Sequence, residues 1–557
     1  MPRSRRNVGF GLPAISEALL QPSGERLLHL RQVGRIVEEA TPDSFIFVTS
    51  RREHPPKYEY VVVRSVEPVG GEEREVLVLC QVRGVVSRSA AYSSRLDLET
   101  LERIYQAGID DANLLCLARS LGFLAEEDGR KVVLAPRRAF YPGNPVYLAP
   151  DELVREFFSY QPDEGIHIGR LVSRRTVDVY LSVNGFRRHV AVIAQTGAGK
   201  SYTVGVILEE LMRLGATAVV IDPHADYVFL SRDRDMRRHE YSDRVVIFRN
   251  PNSTGRYDPS QLDNVRELTV KFSELSPEAV ARIADIPEKW TNVRKAIRKA
   301  VEELRKQGDY ELEGLLGALK RMSNGRGEEA RSAERAYQNL LRLRKVRVFG
   351  AYTTSVKDEV LKPGQISVLD LSGLNDSSQD YIVSWVLEEV FRLRQTGEFP
   401  WPVFVVIEEA HRFVPAKSLE RRTMSSSIIK TIASEGRKFG VFLILVTQRP
   451  SRIDADALSQ CNSQIILRIT NPYDQRAVAE ASERLGEEIM RDLPGLNVGE
   501  AIIVGELTRV PVIVKVRRRV TREGGADIDL VEELRRARQV LNLTPSRYST
   551  SGLLSEV

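Results

Sequence analysis

The sequence predicts an α/β fold: a small antiparallel β-barrel, then a parallel sheet flanked by helices, with a helical bundle inserted into that sheet. Three observations carry this. Short alternating apolar runs recur between turn signals over residues 29–150. From Asp151 onward apolar strands alternate with long helical stretches, the pattern of parallel α/β sheets. Between residues 273 and 350 strands give way to helical periodicity rich in Arg, Lys and Glu.

In chain order, residues 1–28 form a polar segment with one short apolar patch at 15–20. The barrel segment, 29–150, carries strands at 44–48, 59–63 and 76–82. Pro68-Val69-Gly70-Gly71 and Pro142-Gly143-Asn144-Pro145 turn the chain, and a helical piece is expected near 98–121. The first part of the sheet domain, 151–272, has strands at 189–194, 216–221 and 244–248. The helical insertion, 273–350, is read as free of strands; it opens at Ser276-Pro277-Glu278, a cap followed by proline in the first turn. The sheet domain resumes over 351–520, with strands at 366–371, 403–407, 441–446, 464–469, 501–504 and 510–516. The tail, 521–557, is polar with one amphipathic helix at about 529–541; it is either a brace on a neighbouring subunit or a frayed terminus.

At 557 residues the chain is too long for a single core. A net charge of +5 creates no global basic field, so any nucleic-acid contact has to come from local patches. Cys80, Cys116 and Cys461 are scattered, which implies neither a disulfide framework nor a zinc site. No apolar run approaches a membrane span, and Met1-Pro2-Arg3-Ser4-Arg5-Arg6 does not lead into a signal peptide. A soluble, cytoplasmic protein without a membrane partner is expected. The wealth of Arg and Glu, with few His, Cys and Met, leans toward a thermophilic source.

Ala194-Gln195-Thr196-Gly197-Ala198-Gly199-Lys200-Ser201 follows the apolar run Val190-Ala191-Val192-Ile193 and opens a helical stretch that Gly215 closes. Strand, glycine turn and helix in that order are the context of a phosphate-binding loop. Turn N–H groups and the helix N-terminus would face the β- and γ-phosphates. Lys200 neutralises them and the Ser201 hydroxyl ligates Mg²⁺. The ligand implied is a nucleoside triphosphate.

Trp401-Pro402-Val403-Phe404-Val405-Val406-Ile407 is an apolar strand ending in Glu408-Glu409. Burying two carboxylates is costly unless a metal or a reaction uses them. Glu408 is assigned to Mg²⁺ and Glu409 to activating the attacking water. The next strand ends at Thr447-Gln448-Arg449-Pro450, where Gln448 is placed to hydrogen-bond the γ-phosphate or the lytic water. Asp222, in Asp222-Pro223-His224-Ala225-Asp226-Tyr227, would orient that water or support Glu409. Phosphoryl transfer also calls for an arginine, and Arg437 and Arg188 are the two candidates against surface positions.

Together these residues resemble the HerA family of DNA-translocating ATPases, within the HerA/FtsK group. Ile407-Glu408-Glu409-Ala410-His411-Arg412-Phe413-Val414-Pro415 is the most specific stretch, joined by Glu435-Gly436-Arg437-Lys438-Phe439-Gly440 and Leu493-Pro494-Gly495-Leu496-Asn497-Val498-Gly499-Glu500-Ala501. The likeness runs from about residue 30 to 520. It implies a RecA-like P-loop ATPase sheet domain, a barrel of the HAS type, and a homohexameric ring moving on double-stranded DNA with a NurA nuclease partner in end resection. It further implies ATP and Mg²⁺ at a site between subunits, with one arginine acting in trans. Gly197, Ala198, Gly199, Lys200, Ser201 and Tyr202 would hold the nucleotide, Arg188 would contact it, and Lys515 and Val516 would border it. Ala194, Ala198 and Ala225 depart from the pattern, the last two where a small Ser or Gly is expected.

A translocating ring needs basic loops that track phosphates without reading bases. Lys417, Arg421 and Arg422 in one run, and Arg344 and Lys345 in another, are the candidates, each also readable as a solvated face. No Asp, Glu and His cluster typical of a nuclease is evident, so cutting is assigned to a partner. A secretion or conjugation ATPase and a slow nucleotide-controlled scaffold are the alternatives.

Overall fold

The computed structural model describes residues 30–109, 111–127, 130–419, 422–482, 485–524 and 530–540. The segment 1–28 and the stretch 541–557 of the tail lie outside them.

The N-terminal strands are β1 (Gln32–Ala40), β2 (Ser44–Thr49), β3 (Tyr60–Val69), β4 (Glu72–Arg88), β5 (Asn113–Glu127), β6 (Arg130–Leu134) and β7 (Pro145–Leu148). They pair antiparallel in the order β2-β1-β7-β3-β4-β5, and β2 pairs back onto β5 to close a six-stranded barrel, with β6 appended to β5. Phe45, Phe47, Val61, Val78, Cys80, Cys116 and Phe140 fill its interior. The helix expected near 98–121 is shorter. It spans Leu98–Gln106, capped by Asp97, which accepts from Thr100 N at 2.8 Å. Leu114 to Leu121 instead lie in β5, because Cys116 and Ala118 point inward at a spacing of two and the strand pairs with both β2 and β4.

The second sheet has twelve strands: β8 (Gly165–Leu171), β9 (Asp178–Ser182), β10 (Val190–Ile193), β11 (Thr217–Asp222), β12 (Val245–Arg249), β13 (Val265–Glu267), β16 (Ile366–Asp370), β17 (Val403–Ile407), β18 (Val441–Thr447), β19 (Ser463–Ile466), β20 (Glu500–Val504) and β21 (Val512–Val516). The two-residue strands β14 (Val270–Lys271) and β15 (Phe349–Gly350) pair separately. The order is β13-β12-β16-β11-β17-β18-β10-β19-β20-β21-β8-β9, parallel from β13 to β19 and antiparallel beyond. The parallel part reads as unbroken apolar runs because helices cover both faces. β8 and β9 were not expected from the sequence. Glycines weaken the strand signal of β8, and Gly169 is there for close approach: a Cβ would fall 2.1 Å from the Lys515 carbonyl oxygen.

Between β14 and β15 the helices Pro277–Ile283, Thr291–Gln307, Leu312–Ser323 and Glu328–Leu340 pack around Val280, Ile297, Val301, Leu316 and Leu319. Ser276 caps the first, accepting from Ala279 N at 3.0 Å. The block is not wholly free of strands, since Phe349–Gly350 pairs with Val270–Lys271 and closes its base. In the tail, the helix Leu530–Val540 leaves Leu530, Val531, Leu534 and Val540 exposed. Among the described residues no helix is long and apolar enough to cross a membrane.

Candidate active site

The phosphate loop leaves β10 at the carboxyl edge of the parallel sheet and enters the helix Lys200–Arg213. Gly197 and Gly199 both turn left-handed, at φ 75° and 102°, where a side chain would be strained. Gln195 Oε1 ties the loop to the end of β19, accepting from Thr470 Oγ1 at 2.8 Å, and Ala198 O accepts from Gly499 N at 3.0 Å. A cleft of about 550 Å³ opens over the loop. Gly197, Lys200, Ser201, Tyr202, Glu409, Gln448, Lys515 and Val516, all predicted site residues, line it. A larger cleft of about 1090 Å³ adjoins it across Lys515 and Val516. Phosphate-loop residues line the smaller cleft and not the larger, so the phosphate-binding geometry belongs to the smaller one.

Within this cleft the carboxylates of β17 meet the loop lysine. Lys200 Nζ lies 2.5 Å from Glu408 Oε2 and 3.0 Å from Glu409 Oε1. Burial alone would lower the Lys200 pKa, but the two carboxylates outweigh it and raise it above the ordinary lysine value. Glu409 itself sits at φ 50°, a left-handed conformation that costs energy and turns its side chain from the strand toward the loop. Its Oε2 is 3.1 Å from His411 Nδ1, yet that nitrogen lies equally close to Thr447 Oγ1, and Oε2 has no well-aligned donor. Burial lowers the His411 pKa, partly offset by Glu409. Gln448 Oε1 accepts from Thr196 Oγ1 at 2.5 Å, which sets it at the rim of the loop.

The structure does not bring Asp222 to Glu409. Its carboxylate is used by its own turn, accepting from Tyr227 N at 2.9 Å, Asp226 N at 3.0 Å and His224 N at 3.3 Å. Burial, then the charge of Asp226, raises its pKa well above the ordinary carboxylate value. Two neighbours to which the sequence assigns no role occupy the site instead: Asp226 accepts from Ser201 Oγ at 2.9 Å, and the Tyr227 hydroxyl donates to Glu408 Oε1. Arg519 is a third. It is 1% exposed, lines the cleft and packs its guanidinium on Gly205, which a Cβ there would strike at 2.5 Å. Contacts so distant in sequence leave no local signal.

Arg188 and Arg437 lie elsewhere. Arg188 precedes β10, Arg437 ends the helix before β18, and these two strands run side by side with Val190 opposite Ile444. Both arginines are exposed at the amino edge of the sheet. The length of β10, about 13 Å, separates that edge from the loop, beyond an arginine's reach. His189 pins the corner: its Nδ1 accepts from Leu443 N at 2.9 Å, and it packs by Gly436, where a Cβ would fall 2.5 Å from Val441 O.

Burial pulls the His189 pKa from 6.5 down to about 4, against the carbonyls of Ala433 and Ile432. Between those values the unfolded chain binds a proton that the folded chain refuses, so stability falls as pH falls through this window and the loss ends below it. From pH 7 to 5 the loss is about 2 kcal/mol. Thermal unfolding should therefore show wild type losing more stability than His189→Gln over that interval, and equal slopes would refute the assignment.

The basic runs are ion-paired. Lys417 contacts Asp456 at 3.0 Å and Arg344 grips Glu313 at 2.7 Å, while Lys345 is exposed and Arg421 lies outside the described residues. Arg422 reaches Glu288 at 3.4 Å and Arg342 reaches Asp285 at 3.4 Å, so both runs abut one loop of the helical block.

The family model described as Helicase HerA, central domain, matches residues 166–390. A probable helicase of Methanocaldococcus jannaschii is 30% identical, aligned over 90% of this chain and 93% of its own. The DNA double-strand break repair helicase HerA of Pyrococcus furiosus is 33% identical over 67% of this chain and 73% of its own. Among solved structures, the bacterial conjugative coupling protein TrwB aligns with a TM-score of 0.47 at 14% identity, covering 68% of this chain and 94% of that one.

Proposed function

The chain belongs to the HerA helicase family, and from that premise we propose that it is an ATP-driven motor translocating double-stranded DNA, built as a homohexameric ring and paired with a NurA-type nuclease in end resection. The observation that carries the reading is the split site. Lys200, Ser201, Glu408, Glu409 and Gln448 converge at one edge of the sheet, while Arg188 and Arg437 stand at the other. Such a site works when a neighbouring copy supplies the arginine, which a closed ring provides at every interface. The segment from 521 onward is proposed as a brace between subunits.

When ATP enters, Lys200 exchanges its two carboxylates for the β- and γ-phosphates. That exchange leaves Glu409 as a base for the attacking water, with the unsatisfied Oε2 as the acceptor. Gln448, held by Thr196, orients the water or the γ-phosphate. Ser201 and Glu408 would hold Mg²⁺, which supplies charge neutralisation at the phosphate oxygens. A hydroxyl and a carboxylate suit this hard cation, and among the described residues no three-ligand cluster stands ready, which suits an ion bound chiefly through phosphates and water. Asp222 acts by fixing its turn. Lys515 and Val516 border the nucleotide. The exposed pairs of Lys417, Arg422 and Arg344 are screened by water and salt and therefore weak, so DNA phosphates can displace their acidic partners.

The test is steady-state ATP hydrolysis with and without linear duplex DNA, for wild type and Lys200→Ala. Strong stimulation of the wild type, absent in the variant, is expected. Hydrolysis indifferent to DNA would overturn the translocase reading and favour a protein-moving relative.

A further inference from the structure

The two residues assigned to Mg²⁺ are each held at one oxygen by the turn after β11, and the groups that hold them are consecutive in sequence. Asp226 Oδ2 accepts the Ser201 hydroxyl proton at 2.9 Å. Tyr227, fully buried, donates its hydroxyl to Glu408 Oε1, while Glu408 Oε2 faces Lys200 at 2.5 Å. A hydroxyl ligates a cation through its lone pairs, so its proton must point away from the metal. Asp226 takes that proton. A carboxylate pinned at one oxygen presents the other, and Tyr227 does the pinning.

The turn that carries these two residues is rigid and strained. Asp222 accepts from three of its backbone N–H groups, and Ala225 is held left-handed at φ 61°. That conformation accounts for Gly as one of the residues expected at 225, since a Cβ is disfavoured there. Asp226 O in turn accepts from Gly524 N at 3.0 Å, so the loop after β21 buttresses the turn.

We propose that Asp226 and Tyr227 are positioning residues of the metal site, Asp226 orienting the Ser201 hydroxyl and Tyr227 the Glu408 carboxylate, so that both ligands are preset for Mg²⁺. The proposal rests on the reading of this cleft as an Mg²⁺-nucleotide site. Outer partners of this kind set ligand orientation, and removing one typically weakens metal affinity by about 10–100-fold.

The test uses the full-length protein with ADP and Mn²⁺ as a paramagnetic stand-in, with free Mn²⁺ followed by electron paramagnetic resonance. Tyr227→Phe and Asp226→Ala should each weaken Mn²⁺ binding to the ADP complex by about 10–100-fold. Binding of a fluorescent ADP analogue in EDTA should match wild type, which a general structural defect would not allow. Mg²⁺ titrations of turnover should shift to higher concentration, with kcat at saturating metal largely recovered. Mn²⁺ affinity within twofold of wild type for Tyr227→Phe, in a variant that binds metal-free ADP normally, overturns the proposal, whatever Asp226→Ala does. Failure of the wild type to bind ADP at all would instead refute the underlying site reading.

Discussion

Glu409→Gln is expected to bind ATP as tightly as wild type, or more tightly, and to lower kcat by about 10²–10⁴-fold. The residue is 5% exposed and shares Lys200 with Glu408, so the variant keeps volume and one acceptor oxygen while removing one charge. Without ATP that charge competes with the phosphates for Lys200, and its loss makes the lysine easier to recruit. During hydrolysis the amide cannot accept a proton, and the carboxylates at the ends of this strand and its neighbour are already engaged. Asp222 is spent on its own turn and Glu408 is held by Tyr227 and Lys200. Single-turnover hydrolysis beside equilibrium nucleotide binding separates the two effects. A kcat loss below tenfold would move the base elsewhere. Glu408→Gln, by contrast, should raise the Mg²⁺ requirement.

The parts of this site that the sequence discloses are those whose chemistry is local. The phosphate loop is legible because strand, glycines and helix are contiguous, and the paired acids because an apolar run ends in them. The barrel strands at 44–48, 59–63 and 76–82 are legible from alternation. Residues 114–121 are not, since five consecutive small or apolar residues from Leu114 to Ala118 fit a buried helix as well as a strand sharing both edges with neighbours. β8 is hidden for a different reason, because its Gly169 serves the approach of β21 rather than strand propensity. Asp226, Tyr227 and Arg519 owe their places to contacts across the sheet, and only the fold joins Tyr227 to Glu408. Likewise, Arg188 and Arg437 are visible as arginines in the sequence, but which edge they occupy follows from the parallel register of β10 and β18.

That edge makes a sharp prediction. Arg437→Ala should lose about 10³–10⁵-fold in kcat, the range for an arginine that stabilises the transferring phosphoryl group. Lys200→Ala should be as inactive, from the opposite side of the subunit. If the two residues serve the same catalytic centre from different copies, mixing the two dead proteins restores activity, because some interfaces then join an intact Lys200 to an intact Arg437. With equal amounts and random assembly into rings, about a quarter of interfaces qualify. Recovery would be largest at equal mixing and would vanish at either extreme. An Arg437 acting within its own subunit gives no recovery at any ratio, since each chain then carries a complete or a broken site by itself. Repeating the mixture with Arg188→Ala separates the two arginines: recovery with one and full intrinsic activity of the other assigns the transferring role, while recovery with both means that each neighbour lends two positive charges. Gly436, which admits the close approach of the helix before β18 to His189, ties these outcomes to one structural corner. His189→Gln should therefore weaken the mixed-ring recovery without altering nucleotide binding at Lys200, since it touches the amino edge and not the phosphate loop.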